Sequence, residues 1–431
     1  VSTNPASGGE FLQSLLGDLV KMMSTDSPLQ WELAFQLATT VAQGDAPPAN
    51  IDPVERIRFE ELASIAALHV ADLTGMDTGR GATAPRLSAV TRSEWARRTL
   101  SAWQPLLDRL ALSVGPKNAG QQSPGSLAEI ESLFSRSEGD SASQFLRESP
   151  EDAMETSFGA LFEKWAGAMA PAMLAAQIGS LVGHLAQRTL GEFDLPLPRS
   201  STEEILVVPE NIAGLAEDWS LPLDDLRLWV CVRELTCHAV LQREHVRTRI
   251  EELVLAHAGR AQPSLEELKS RLLGLDPASG EGLAEILGDP LALAAPRPDA
   301  SAQRISAELD ALVATLAGYV EHRTAAAAGR VVGSHTAIAE AIRRRRVTRG
   351  EGETMAEALF GLRIGQEQVD RGVAFVQGVL DRDGDAELAK LWVVESNLPT
   401  PAEVDAPGLW IARVNLPADD GPGLARNDPE G

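Results

Sequence analysis

The sequence predicts a mainly α protein, a multi-helix body with one small β element ahead of a buried central helix. Apolar residues recur at helical spacing along most of the 431 residues, and such periodicity is the primary helix signal. Aromatic residues make up only 4%, with a single tyrosine, while alanine, leucine and glycine are abundant. Small side chains favour close helix–helix packing over a sheet sandwich. The best strand candidate is EILVVP at Glu204–Pro209, short and β-branched.

Taken in order, residues 1–9 are polar and expected to be disordered, and FLQSLLGDLVKMMS at Phe11–Ser24 is amphipathic. Asp26-Ser27-Pro28 breaks the pattern before a helix at Leu29–Val41. Asp52-Pro53 is an N-cap and first-turn pair for a long helix to Leu73. A glycine-rich hinge (Gly75–Ala84) leads to Thr91-Arg92-Ser93-Glu94, a capping-box pattern opening a helix around Trp95 and Trp103. Lys117–Gly125 and Ser135–Glu151 read as loops. Met154–Leu190 is helical and contains Gly179-x-x-x-Gly183, which permits close helix approach; Gly191 and two prolines end it. The central helix lies within Leu226–His245. Further helices are predicted at Glu244–Ala258, Ser264–Leu273, Gly282–Leu287, Ala302–Gly329, Thr336–Thr348, Thr354–Leu362 and Glu367–Asp381. Pro290–Ser301 is read as a linker, and residues 399–431 as an extended tail.

A net charge of −24 argues against a nucleic-acid partner, since phosphate binding needs clustered positive charge. The run Arg343–Arg346 is read as a solvated or salt-bridged face. Cys231 and Cys237 lie six residues apart on one helix, roughly 9 Å of rise, so they cannot bridge. Reduced thiols and the absence of a leader-like N-terminus lead to the expectation of a cytoplasmic protein. Ala166–Gly183, the longest uncharged run, contains Pro171, Gln177 and Ser180 and is read as a buried helix, with no membrane span.

The central helix inserts Arg233, Glu234, Cys237 and His238 into an apolar run, and charges are rarely buried without a partner or a task. Arg233-Glu234-Leu235-Thr236-Cys237 occupies the frame of H-E-x-x-H with both histidines changed. Glu234 and His238 are i,i+4 on one helix face. Together with His322 they would form an acceptable zinc ligand set, against an ordinary reading of His238 as a hydrogen-bonded helix histidine and His322 as exposed. Cys237 and His238 point about 100° apart and are not read as a nucleophile–base pair. His184 is read as a core histidine, Asp194 as part of a helix-terminating turn. His69, His245, His257 and His335 carry no constellation. Asp381–Asp385 lacks EF-hand spacing and is read as an acidic turn.

The chain resembles a bacterial family of zincin-like metallopeptidases. The resemblance is carried by GDLVKMMSTDSPLQWELAFQLA (17–38), VTRSEWARRTLSAWQPLLDRL (90–110), QIGSLVGHLAQRTLGEFDLPLP (177–198), ILVVPENI (205–212) and LRLWVCVRELTCH (226–238). It continues through TLAGYVEHRTAAAA (315–328), EAIRRRR (340–346), LFGLRIGQEQVDRGVAFVQGVLD (359–381) and the pattern from Leu398 to Trp410. The resemblance implies a zincin-like body: an N-terminal helical region (1–150), a core with the altered helix (151–290), and a C-terminal helical region completing the cleft (291–398). It places the two histidine ligands at Arg233 and Cys237, the general base at Glu234, and a third ligand at Ala317. Only the base is retained, because a guanidinium has no lone pair to offer a metal. The expectation is therefore a family member without resident zinc, binding a protein or peptide in the cleft as a scaffold. The alternative is a working zinc-dependent metalloprotease or hydrolase using Glu234 as base, with the metal moved to His238 and His322.

Overall fold

The structure, a computed structural model, describes residues 29–45, 50–76, 85–114, 171–199, 204–259 and 300–416. The helices expected at Phe11–Ser24, Ser264–Leu273 and Gly282–Leu287, and the loops at Lys117–Gly125 and Ser135–Glu151, lie outside the described residues. The elements in order are α1 (Trp31–Gln43), α2 (Pro53–Thr74), β1 (Arg86–Ala89), α3 (Arg92–Val114), α4 (171–188), β2 (Glu204–Val207), α5 (Pro209–Asp218), α6 (Leu223–Leu241) and α7 (Glu244–Ala258). They continue with α8 (Ala300–Val331), α9 (His335–Val347), α10 (Glu351–Phe360), α11 (Gln366–Leu388), α12 (Pro401–Asp405) and α13 (Pro407–Val414). The fold is mainly α. Among the described residues, none of the helices is long and apolar enough to cross a membrane.

Local chemistry explains the boundaries. Asp52 caps α2 by accepting from Val54 N at 2.9 Å, and Gly75, at φ 63°, closes it in the left-handed region. Only half of the expected capping box forms on α3. Thr91 Oγ1 accepts from Glu94 N at 3.2 Å, while the Glu94 carboxylate turns to Arg97 and Arg98.

The core is one apolar body centred on α6, whose side chains are buried around nearly the whole circumference. Helices α2, α5, α7 and α8 pack on it. Missing side chains allow the closest crossings. A Cβ on Gly179 would sit 2.6 Å from Ala34 O, and one on Gly183 would sit 2.5 Å from Val41 Cβ, so α4 lies directly on α1. Gly318 of α8 and Gly372 of α11 meet backbone to backbone, leaving no room for a methyl on either.

β1 and β2 pair in parallel, Arg86 opposite Glu204 through Ala89 opposite Val207. The chain after α4 joins them, because Gly191 bridges Val207 and Val208 N donates to Leu190 O at 3.0 Å. This small sheet therefore fixes residues 189–199 beside α6.

The extended tail requires correction as far as residue 416. Pro401 and Pro407 sit at helix N-termini, where a missing N–H costs nothing, and so start α12 and α13. Trp410 is fully buried edge-on against Phe375, and Arg413 pairs with Glu403 at 2.6 Å. Helix α11 also runs past its expected end to Leu388, with a break at Gly384 (φ 77°).

Candidate functional site

The site forms where residues 189–199 meet α6. Trp95 Nε1 and Thr189 Oγ1 both donate to Gly191 O, at 3.0 and 2.5 Å, and Leu190 N donates to Asp194 Oδ2 at 2.8 Å. The segment is thereby held with two amides facing α6. Glu192 N and Phe193 N donate to Glu234 Oε2 at 2.8 and 2.9 Å. Gly191 is required here, because a Cβ would collide with the Glu234 carboxylate.

Arg233 completes the arrangement. Its Nη1 donates to Glu234 Oε1 at 2.5 Å and lies 3.0 Å from Asp194 Oδ1, while Nη2 reaches Phe193 O at 3.3 Å. One guanidinium thus bridges two carboxylates from two segments, in the charge-assisted geometry that binds strongly. Beneath it, Glu192 Oε2 accepts from Leu206 N at 2.9 Å and Glu192 Oε1 faces Arg199 Nε at 3.6 Å. Arg199 lies over the faces of Trp95 and Trp103 and donates to Thr99 Oγ1 at 2.7 Å.

Helix α9 supplies two further cations. Arg345 donates to Arg188 O and lies in the field of Asp194. Arg346 pairs with Glu321 of α8 at 2.6 Å. The run Arg343–Arg346 is therefore half solvated and half turned inward.

Burial pushes the Glu234 carboxyl up, to about 7, against the opposing pull of Arg233 and its backbone donors. Burial also raises Asp194, but Arg233 and Arg345 outweigh it and hold this carboxyl below its ordinary value. Burial pushes the Cys237 thiol up to about 12. Burial, helped by Arg247, lowers His238 to about 4, so its imidazole is neutral at physiological pH.

Arg233, Cys237 and Ala317 line one cleft, together with Asp194, Glu321 and Arg346. Val313, Leu316, Val320, Ile364 and Val369 form its apolar wall. The cavity is about 40 Å³, room for roughly three waters. Glu234 is fully buried behind the wall, with all three of its hydrogen-bond partners donating to it.

Glu234, His238 and His322 are not gathered into a ligand set. The His238 ring tilts against Phe193 at 6.2 Å, with Gln242 at 3.5 Å from Nδ1. His322 is half-buried with an unpartnered Nδ1, in the field of Arg323 and Asp385. Among the described residues, no three His, Cys, Asp or Glu side chains converge to hold a metal. His184 is no core histidine: its Nε2 faces Glu351 at 3.2 Å near the surface. Cys231 is a buried free thiol. Of the remaining histidines, His257 faces Ser306, His335 its own backbone turn, and His245 and His69 lie apart from the cleft. The sequence reading missed Asp194, Glu192, Arg199 and Arg345 as parts of the site.

The zincin-like metallopeptidase signature matches residues 29–411, nearly the whole chain. The chain belongs to this family. Its fold is similar to that of a "putative hydrolase with a novel fold" from Chloroflexus aurantiacus, with a TM-score of 0.56 and 22% identity over 90% of this chain and 99% of that one. No curated protein matches.

Proposed function

We propose that this family member works without resident zinc and acts as a non-catalytic binding or scaffold protein. The observation that supports this reading is the position of Arg233, whose Nη1 lies among Asp194 and Glu234 on the cleft wall. The residues present do not fit zinc. Arg233 carries no lone pair, Ala317 has no donor atom, and Cys237 beside a guanidinium is a single ligand that cannot hold the ion alone. Glu234 stands at the position of the general base, yet its carboxylate faces only donors and does not open onto the cleft. A base must reach a water to activate it. Asp194, Glu234 and Glu321 face the guanidinium groups of Arg233, Arg345 and Arg346.

The test is turnover of a fluorogenic peptide mixture by purified protein with added zinc. The expected rate equals that of Glu234→Ala. Turnover abolished by Glu234→Ala or His238→Ala would establish the alternative, a hydrolase with a relocated metal.

A further inference from the structure

We propose that Asp194 and Glu234 form a preorganised cradle for one hydrogen-bonding cation, which the chain fills with its own Arg233 guanidinium and which a free guanidinium-type cation enters when that side chain is removed. This rests on the reading that Arg233 stands in place of an ion, and is independent of what the cleft binds.

Two carboxylate oxygens from separate segments converge on a single nitrogen, Asp194 Oδ1 at 3.0 Å and Glu234 Oε1 at 2.5 Å from Arg233 Nη1. Neither carboxylate depends on Arg233 for its position. The second oxygen of each is fixed by main-chain amides: Asp194 Oδ2 by Leu190 N, and Glu234 Oε2 by Glu192 N and Phe193 N. Those amides belong to one short segment, itself anchored by Trp95 and by the bridge to Val207. Deleting the guanidinium therefore leaves the two oxygens facing each other across the space it occupied.

Glu234 has no exposed surface and cannot turn to water, while Asp194, on the cleft lining, keeps its Oδ2 bond to Leu190 N. Nearby Arg345 donates to Arg188 O and acts on Asp194 through its field. Glu321 adds to the field that favours a cation at this point. Because Arg233 lines the cleft, removing its side chain also opens a path from solvent.

Arg233 Nη1 meets both carboxylate oxygens while Nη2 reaches Phe193 O at 3.3 Å, a two-nitrogen arrangement that a planar guanidinium satisfies and a single metal ion does not. The cradle differs from the H-E-x-x-H arrangement, since it uses Glu234 and Asp194 and no imidazole.

The experiment is thermal unfolding of Arg233→Ala at pH 8, titrated with methylguanidinium and in parallel with urea, magnesium or zinc. Loss of the cation is expected to lower the melting temperature by roughly 3–6 °C, the scale of a broken buried ion pair in a chain of this length. Methylguanidinium should restore half or more of that loss, saturably. Urea, which is neutral, should restore none, and the metals less than methylguanidinium. Wild-type protein should not respond.

A fully stable Arg233→Ala variant, or recovery no greater than with urea, would overturn the proposal, as would a metal outperforming methylguanidinium. Should Arg233→Ala not fold, the triple variant Asp194→Asn, Arg233→Met, Glu234→Gln decides, because it removes the cation along with the charges that need it. It should fold and ignore methylguanidinium; failure to fold, or stabilisation by methylguanidinium, would overturn the cradle. Peptide turnover by the wild-type protein would instead sink the functional reading and leave the cradle standing.

Discussion

Alanine at Gly191 would place a methyl carbon 2.6 Å from Glu234 Oε2 and 2.7 Å from its Cγ, inside van der Waals contact. The carboxylate has nowhere to go. Its helix is packed on nearly every side, and the same Oε2 is held by the two amides that follow Gly191. The cost combines overpacking, about 1–3 kcal/mol, with weakened hydrogen bonds to a buried charge, about 1.5–3 kcal/mol. A destabilisation of about 3–5 kcal/mol follows. The assay is urea unfolding across a double-mutant cycle with Glu234→Ala. Once the carboxylate is gone the methyl meets little, so Gly191→Ala should cost at least about 2 kcal/mol less in that background. An equal cost in both backgrounds would refute the claim that Gly191 is glycine because of Glu234.

Stability should vary with pH through two opposing groups. Glu234 is raised from its ordinary 4.5 to about 7, so its contribution is whole below pH 4.5 and lost as pH rises through about 7. His238 is lowered from 6.5 to about 4, so its contribution is present above pH 6.5 and lost as pH falls toward 4. Urea midpoints across this range should therefore lose the alkaline-side decline in Glu234→Gln and the acid-side decline in His238→Phe. The variant Arg233→His, Cys237→His, Ala317→Glu puts three zinc donors on one cleft and is expected to bind zinc stoichiometrically by equilibrium dialysis. No gain over wild type would show that the three positions do not converge. Gly318→Ala, opposed by the Gly372 backbone and not by a movable side chain, should cost about 3 kcal/mol or more in the same unfolding assay.

Most helices were legible because each announces itself locally, through Asp52-Pro53 at one start or Gly75 at one end. β1 was not. RLSA alternates polar and apolar over only four residues, too short a run to stand out, and it becomes a strand because Glu204–Val207 lies alongside. α12 and α13 were hidden by their prolines, which read as breakers until Thr400 and Ala406 are seen to precede helices.

The site divides in the same way. Helical spacing alone puts Arg233 and Cys237 on one face of α6, and the family resemblance points to Ala317. Asp194 looked like a turn residue because its partner, Arg233, is distant in sequence. Arg345 and Arg346 looked like a solvated run because nothing local distinguishes them from Arg343 and Arg344. Long-range charge pairing leaves no periodic trace, so only the fold could gather these groups.

The most direct test of the central claim is the metal content of the protein, purified without chelator and measured by plasma mass spectrometry after zinc loading and desalting. The account predicts far less than one zinc per chain, unchanged in Glu234→Ala. One tightly held zinc per chain, released by that substitution, would contradict it.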